Sequence, residues 1–559
     1  MPNDPDVNPR PILAAGDSAR TNAVEQSNPP ENEPRHLRKS SLLLAIACTV
    51  FGAKLIFISV LGSPMPLIDQ WDAEAANLYA PYLHGSLSFG DLFAPHNEHR
   101  LFLTRLLTLL HLELAGEWNP RLEMILSALV HTAFIALIAA LLMPLVAPRR
   151  RILFACFTAT VFALPLGYEN MLLGFNFHFY LTLLFGVLSL HFFASATAFS
   201  PRWFGGLATA VLSYLAFSSG VATILAAAIL AGLQLARGVR SRRGLEYVGL
   251  GVVAATAVVM IAWIASASTG SQTTAWSFIQ GFLLLAGPTV IGVLLIQVPV
   301  IWYCRHTLTI GPPASDRSWL AVGIAGWVAI QLAIVAYGRG TAVGGRYIDL
   351  LLPVYPVALI AIFTLAQVAV NSRFRNYATK GVAVWLFTVA ASLIALGYYG
   401  FTLHAIDWNK SAHQQMDSVK AYLSTHDAKY LDRKAGSDLV DISYPNPPRL
   451  AHILDNPDVR EILPPEIRPA DADNADARKR LLLKGAVAGA TAVAVPNVLA
   501  LGPGVLAVGI GLFFAVAARG IGYADNPKND VPDDTLLPHP ADVAGRTHTP
   551  EPESKGCDE

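Results

Sequence analysis

The sequence predicts an all-α polytopic membrane protein of about 11–13 transmembrane helices, with amphipathic interfacial helices in its first outer loop. Three observations carry that prediction. Of 559 residues, 53% are hydrophobic and only 14% charged, against about 25% charged in soluble domains. Mean hydropathy is +0.45. Apolar runs of roughly 20 residues, each enough to cross about 30 Å of hydrocarbon, recur along most of the length.

Residues 1–38 are rich in Pro, Asn, Asp and Glu, the composition of a disordered tail. They end in Arg35, His36, Leu37, Arg38 and Lys39, which hold the N-terminus in the cytoplasm under the positive-inside rule. The polar stretch ahead of the first span argues against a cleavable signal sequence. A transmembrane core follows over 41–401, with spans near 41–61, 122–147, 152–168, 178–198, 204–217, 221–236, 245–267, 277–302, 318–337, 350–370 and 381–401. Loop charge supports this division. Even-numbered spans deliver Arg149-Arg150-Arg151, Arg202, the arginines of 237–243, Arg305 to Arg317 and Arg373 to Lys380 to the cytoplasm. Merging the two sides of Ser218-Ser219-Gly220 would invert every later loop, so a break there is expected.

The same count places 62–121, two short turns and a soluble segment at 402–480 on the periplasmic face. Residues 481–521, with Pro496 and Gly502-Pro503-Gly504, form either a hairpin of two short helices or one tilted span. Arg478-Lys479-Arg480 then lies outside, against the positive-inside rule. Residues 522–559 have the composition of a second disordered tail.

Net charge is zero and the pI about 7.3, so no general basic field favours nucleic acid. Cys48, Cys156, Cys304 and Cys557 make no disulfide framework, zinc spacing or haem motif. Lys54 and His131 are the main ionisable residues inside spans, with Lys54 able to snorkel.

The first loop concentrates chemistry beside a largely apolar chain. Asp69 and Asp72, three apart, share a face if their segment is helical. Such a pair suits a base with its orienting partner, or a divalent cation such as magnesium or manganese. The plainer reading is two solvated acids. Pro95 opens a helix with Glu98 in its first turn. Arg100, Thr104, Thr108 and His111 recur at spacings of four, four and three, with leucines over much of the remainder, as in a helix lying in the interface. At its start, His96, His99 and Arg100, with Asn97 and Glu98 among them, suit an anionic group such as phosphate. Arg105 is expected to meet lipid headgroups.

Two later turns add residues. Tyr168-Glu169-Asn170 precedes Gly174-Phe175-Asn176-Phe177-His178-Phe179-Tyr180; Glu169 needs a partner or water there. Arg339 and Arg346, flanked by glycines and followed by Tyr347, lie on the outer face against the usual bias. Either they grip phosphate, since glycine lets backbone approach, or they pair with Asp349 or a loop acid.

These motifs resemble the GT-C class of integral-membrane glycosyltransferases, in a bacterial uncharacterised branch. The likeness covers about 41–401: the acids Asp69 and Asp72 just after the first span, the 95–100 run, the Glu169-Asn170 turn and the Arg339…Arg346-Tyr347 turn. The acids stand as Asp-Gln-Trp-Asp rather than adjacent or one apart, leaving open which is the base and whether metal is used. The resemblance implies transfer of a sugar from a polyprenyl-phosphate donor to a cell-envelope glycan or lipid acceptor, at the periplasmic face of a bacterial inner membrane. It assigns Asp69 and Asp72 to catalysis, and His96, His99, Arg100, Arg339 and Arg346 to donor phosphate. Asn97, Glu98, Glu169, Asn170 and Tyr347 support them. Two other classes fit the same chain: a surface-polysaccharide polymerase or ligase working through the late segment, with His404, Asp407 and His413, and a lipid or solute transporter.

Overall fold

The computed structural model describes residues 33–97, 99–267, 273–287, 289–370, 372–434, 436 and 440–524. Over these residues the chain is an all-α polytopic membrane protein. The long helices are α1 (Glu33–Leu61), α2 (Phe102–Ala115), α3 (Pro120–Leu142), α4 (Arg151–Ala163), α5 (Phe177–Ser195), α6 (Pro201–Ala216), α7 (Val221–Ala236), α8 (Gly244–Ala265), α9 (Ala275–Ala286), α10 (Val290–Ile310), α11 (Ser318–Arg339), α12 (Val354–Val370), α13 (Arg375–Tyr399), α14 (Ala488–Ala500) and α15 (Gly502–Ala524). Local sequence sets several starts. Asn119 accepts from the Leu122 amide at 3.0 Å ahead of Pro120. Ser200 does the same for Trp203 at 3.3 Å ahead of Pro201, both the expected cap chemistry.

Among the described residues, eight helices are long and apolar enough to cross a membrane. Two bent pairs, 345–351 with 354–370 at 41° and 488–500 with 502–518 at 47°, raise that to as many as ten. The sequence-based count of spans is higher for physical reasons. α4 has 13 residues and α6 has 16, each short of the usual crossing length. The expected span at 277–302 is two helices, broken at Gly287; the crossing length belongs to α10. α9 lies against the end of α11 instead, where a Cβ on Gly281 would fall 1.9 Å from the Gly340 carbonyl oxygen.

Basic loops gather on one face. Lys39 lies within electrostatic reach of Arg317 and Arg151, and His191 of Arg202 and Arg317. Arg317 also donates to the Leu141 carbonyl at 3.0 Å, and Arg237 to that of Thr309 at 3.3 Å. The opposite, loop-bearing face holds the end of α1, whose Leu61 carbonyl accepts from Asn409 at 3.0 Å. The expected break at Ser218–Gly220 is present as a 3-10 turn between α6 and α7. The late segment does not begin with a loop at 402. α13 continues through a π-helical stretch (Gly400–Ala405) into Ile406–Thr425. The resulting helix has 51 residues and a length of about 75 Å.

In the 481–521 region α14 and α15 meet at a bend of 47°, which is not the fold-back of a hairpin. A Cβ on Gly52 of α1 would sit 2.4 Å from the Leu506 amide nitrogen, and one on Gly509 would sit 2.4 Å from the Thr49 hydroxyl. Those pairings run in opposite directions, so α15 returns antiparallel to α1 toward the face where α1 starts. The 478–480 basic run stays on the loop face because it has acids there. Arg478 reaches Glu117 at 3.8 Å, Lys479 reaches Asp476 at 2.6 Å, and Arg480 binds both Asp458 and Glu461. Gly52→Val should force the two backbones apart and cost about 1–3 kcal/mol, as overpacking does, read as a lowered Tm in detergent.

Candidate functional site

Asp69 and Asp72 have different surroundings. Positive φ at Ile68 (47°) turns the chain out of α1's exit, and Trp71–Tyr79 then forms a π-helix. Gln70 and Glu74 occupy its inner face, fully buried. Asp72 is half-buried and occupied: the Tyr444 hydroxyl donates to one carboxylate oxygen, and Arg449 Nε donates to the other at 3.0 Å. Asp69 sits half-buried in the turn ahead of the π-helix. Its carboxylate makes no hydrogen bond or ion pair with a described side chain. Among the described residues, no three His, Cys, Asp or Glu side chains gather as metal ligands. With Asp72 held by a guanidinium and a phenol, the proposed magnesium or manganese pair does not fit.

The 95–100 run is a tight hairpin rather than a helix start. Pro95–His96 pairs with His99–Arg100, and Asn97 takes the left-handed φ of 52° that the turn requires. Glu98 lies outside the described residues. The hairpin delivers its histidines and its arginine to different places. His99 Nδ1 meets the Ser218 hydroxyl at 2.5 Å, with its ring on Phe217. The His96 ring stands edge-on to Phe175 at 5.7 Å. Burial, with the charges of His96, Arg339 and Arg346, holds His99 down to about 3. That electrostatic reach joins two segments distant in sequence, the 95–100 hairpin and the turn carrying Arg339 and Arg346. Arg100 departs from the group: it lies over the Trp263 ring at 5.6 Å and donates to the Ser266 hydroxyl at 3.4 Å. Its expected role beside Arg339 and Arg346 is not what its contacts show.

The arginine turn is held from beneath. Glu169 is largely buried, accepts from the Gly345 and Arg346 amides, and faces the Arg346 charge; burial outweighs these and raises its pKa. Of the two acids expected to face the arginines, Asp349 or a loop acid, Arg346 faces the loop acid Glu169. Asp349 instead accepts from Asn170 at 2.8 Å and Tyr180 at 3.1 Å. Asn170 also donates to the Arg346 carbonyl at 2.7 Å, and Tyr347 is buried edge-on to Phe179. Lys54 does not snorkel. It is 2% exposed, with Nζ 3.1 Å from the Met171 sulfur and over the Tyr180 ring. His131 stacks on the same ring at 3.9 Å. Gly167 makes room for this knot, since a Cβ there would lie 2.3 Å from an Asp349 carboxylate oxygen.

α2 is amphipathic with its polar side turned inward. Thr104, Thr108 and His111 are buried, while Leu106 and Leu110 are exposed. Arg105 does not reach headgroups: it is buried and donates to the carbonyls of Asp91, Leu92 and Ala94 at 2.7, 3.1 and 2.7 Å. The polar side of α2 meets an acid cluster that the sequence reading missed. Gln70 Nε2 bridges Glu74 at 2.9 Å and Glu123 at 3.0 Å. Trp118 Nε1 donates to Glu74 at 3.0 Å and Tyr79 to Glu123 at 3.3 Å. His111 Nδ1 stands 3.9 Å from Glu123, and burial holds its pKa down to about 3. Glu123 also presses on the Gly174 backbone, so the 168–178 stretch touches the acid helix, His96 and the arginine turn.

Burial pushes the Glu74 carboxyl up to about 8 against an ordinary 4.5. A raised acid stabilises the fold fully below its unfolded pKa and loses that contribution as pH climbs through the folded value. Glu74→Gln, shaped like the protonated acid, should therefore melt higher than wild type at pH 8. The difference should shrink toward pH 5, as followed by Tm across that range.

No family model, curated protein or solved structure matches the chain. What fold and site define is a class: an all-helical multi-pass membrane protein with a cationic turn on its loop-bearing face and an acid, Asp69, without a side-chain partner among the described residues.

Proposed function

We propose that this protein is a membrane glycosyltransferase, moving a sugar from a polyprenyl-phosphate donor to a cell-envelope glycan or lipid acceptor. The observation that carries the reading is the division of labour between the first-loop acids. Asp72 is tied to the late segment, whereas Asp69 is half-buried and, among the described residues, has no side-chain partner, as a base needs. Asp69 takes the proton of the acceptor hydroxyl, whose oxygen forms the new bond to the anomeric carbon. The bond from that carbon to the phosphate oxygen breaks, and its electron pair leaves with polyprenyl phosphate. Arg346 and Arg339, with neutral His99 as a hydrogen-bonding group and His96 beside it, stabilise the charge growing on that phosphate. Glu169 and Asn170 set the turn. Arg100 braces the hairpin.

Clustering of the basic loops on one face supports an inner-membrane protein with a cytoplasmic N-terminus and a periplasmic site. The polymerase or ligase reading has one observation of its own, the gripping of Asp72 by Arg449 and Tyr444 of the late segment. The assay uses purified protein in liposomes with labelled polyprenyl-phosphate sugars. Single-sugar products are expected, and Arg346→Gln should lower kcat by about tenfold or more. The effect should be smaller than the 10²–10³ of a lone oxyanion donor, because Glu169 already offsets part of the charge. Products extended by whole oligosaccharides would favour the ligase; absence of transfer from every polyprenyl-phosphate sugar would remove both readings.

A further inference from the structure

Away from the arginine turn, a cleft of about 380 Å³ opens between Trp118–Arg121, Pro464–Glu466 and α14. Its lower wall belongs to the membrane: Val495 and Leu499 pack with Leu55 and Ile58 of α1. Its upper wall is polar and carries Asn119, Arg121 and Glu466. Arg121 turns Nε and Nη2 to the Gly62 carbonyl, both at 3.3 Å, and has no acid partner among the described residues. Glu117, also in the lining, is taken by Arg468 at 2.6 Å and approached by Arg478 at 3.8 Å. Three guanidinium groups thus stand against two carboxylates, and Glu466 is exposed to water. Within α14, Pro496 has no amide hydrogen to give the Ala492 carbonyl, and both residues line the cleft. That carbonyl is an acceptor for a hydroxyl donor.

We propose that this cleft is a lipid site for a phospholipid with an anionic phosphate and a hydroxyl in its head. The phosphate binds Arg121, the hydroxyl meets the Ala492 carbonyl, and an acyl chain follows α14 into the bilayer. The proposal is independent of the transferase reading. Its test uses the full chain in nanodiscs of mixed phosphatidylglycerol and phosphatidylcholine, with Ala492 replaced by photoreactive benzoylphenylalanine. Exposed Phe514 on α15, replaced likewise, reports bulk lipid. After illumination, the phosphatidylglycerol to phosphatidylcholine adduct ratio at 492 should exceed that at 514 by about fivefold, the scale of the one hydrogen bond that the head hydroxyl gives the Ala492 carbonyl and that phosphatidylcholine lacks. Arg121→Gln should bring the two ratios together, and Glu466→Gln, which removes a repelling charge from an exposed side chain, should raise the ratio at 492. Equal ratios at the two positions, a preference indifferent to Arg121→Gln, or a fall with Glu466→Gln would each overturn the proposal.

Discussion

Asp69→Asn should lower sugar transfer by about 10²–10⁴-fold, the range a positioned general base supplies, with KM for the donor nearly unchanged. Asparagine keeps the shape and the half-buried position but cannot take a proton. Since Asp69 makes no hydrogen bond or ion pair with a described side chain, the substitution leaves the surrounding packing as it was. Asp72→Asn should behave differently. It removes the charge that Arg449 pairs with at 3.0 Å, a contact open to water on both sides and therefore worth little, about 0–1 kcal/mol. Transfer should fall only modestly, and the late segment should become easier to cleave with added protease. Measuring kcat, KM and proteolysis on both variants separates the roles. Equal loss of kcat in the two would remove the asymmetry on which Asp69 is chosen.

Lys54→Met should destabilise the protein by about 3–5 kcal/mol, the cost of stranding one member of a buried charged pair. The charges are not in direct contact. Asp349 is bound by Asn170 and Tyr180, while Lys54 lies over the Tyr180 ring and bears on Asp349 through space. Methionine fills a similar volume, so the loss reports charge rather than a cavity. The double variant Lys54→Met with Asp349→Asn should recover much of the stability, because no uncompensated charge remains. It should recover less activity, since Asn170 would hold the Arg346 carbonyl against a weaker anchor. Thermal unfolding in detergent across the four-membered cycle checks the first claim, and transfer assays check the second.

Much of the fold was legible because hydropathy and loop charge are summed over many residues. The break at Ser218–Gly220, for example, followed from a handful of arginines on either side. The 277–302 stretch reads as one span because α9 is at least as apolar as α10, and only packing of Gly281 on Gly340 separates their roles. The site was legible in part. Arg339, Arg346, Glu169 and Asn170 stood out as charges and amides in turns where apolar sequence prevails. Glu74 and Glu123 did not, although a carboxylate at the head of an apolar span was a signal available in the sequence. An ordinary helix would set Asp69 and Asp72 on one face. The π-helix and the left-handed Ile68 instead turn Gln70 and Glu74 inward. α2 misled for a related reason: its polar stripe was visible, but periodicity alone does not say whether that stripe faces water or a buried acid.

The seam between α1 and α15 also sets a timetable for synthesis. Gly52 leaves the ribosome about 450 residues before Leu506, its backbone neighbour in the finished chain. At roughly 5–20 residues per second, that is an interval of about 20–90 s. For that whole period the first helix to enter the bilayer lacks the helix that will cover its glycine face. A nascent chain stopped anywhere before residue 502 exposes that face to lipid and to whatever other helices pass by. Among the described elements, α15 is therefore the one that closes the seam on α1, and a chain that lacks it leaves its earliest-made span uncovered.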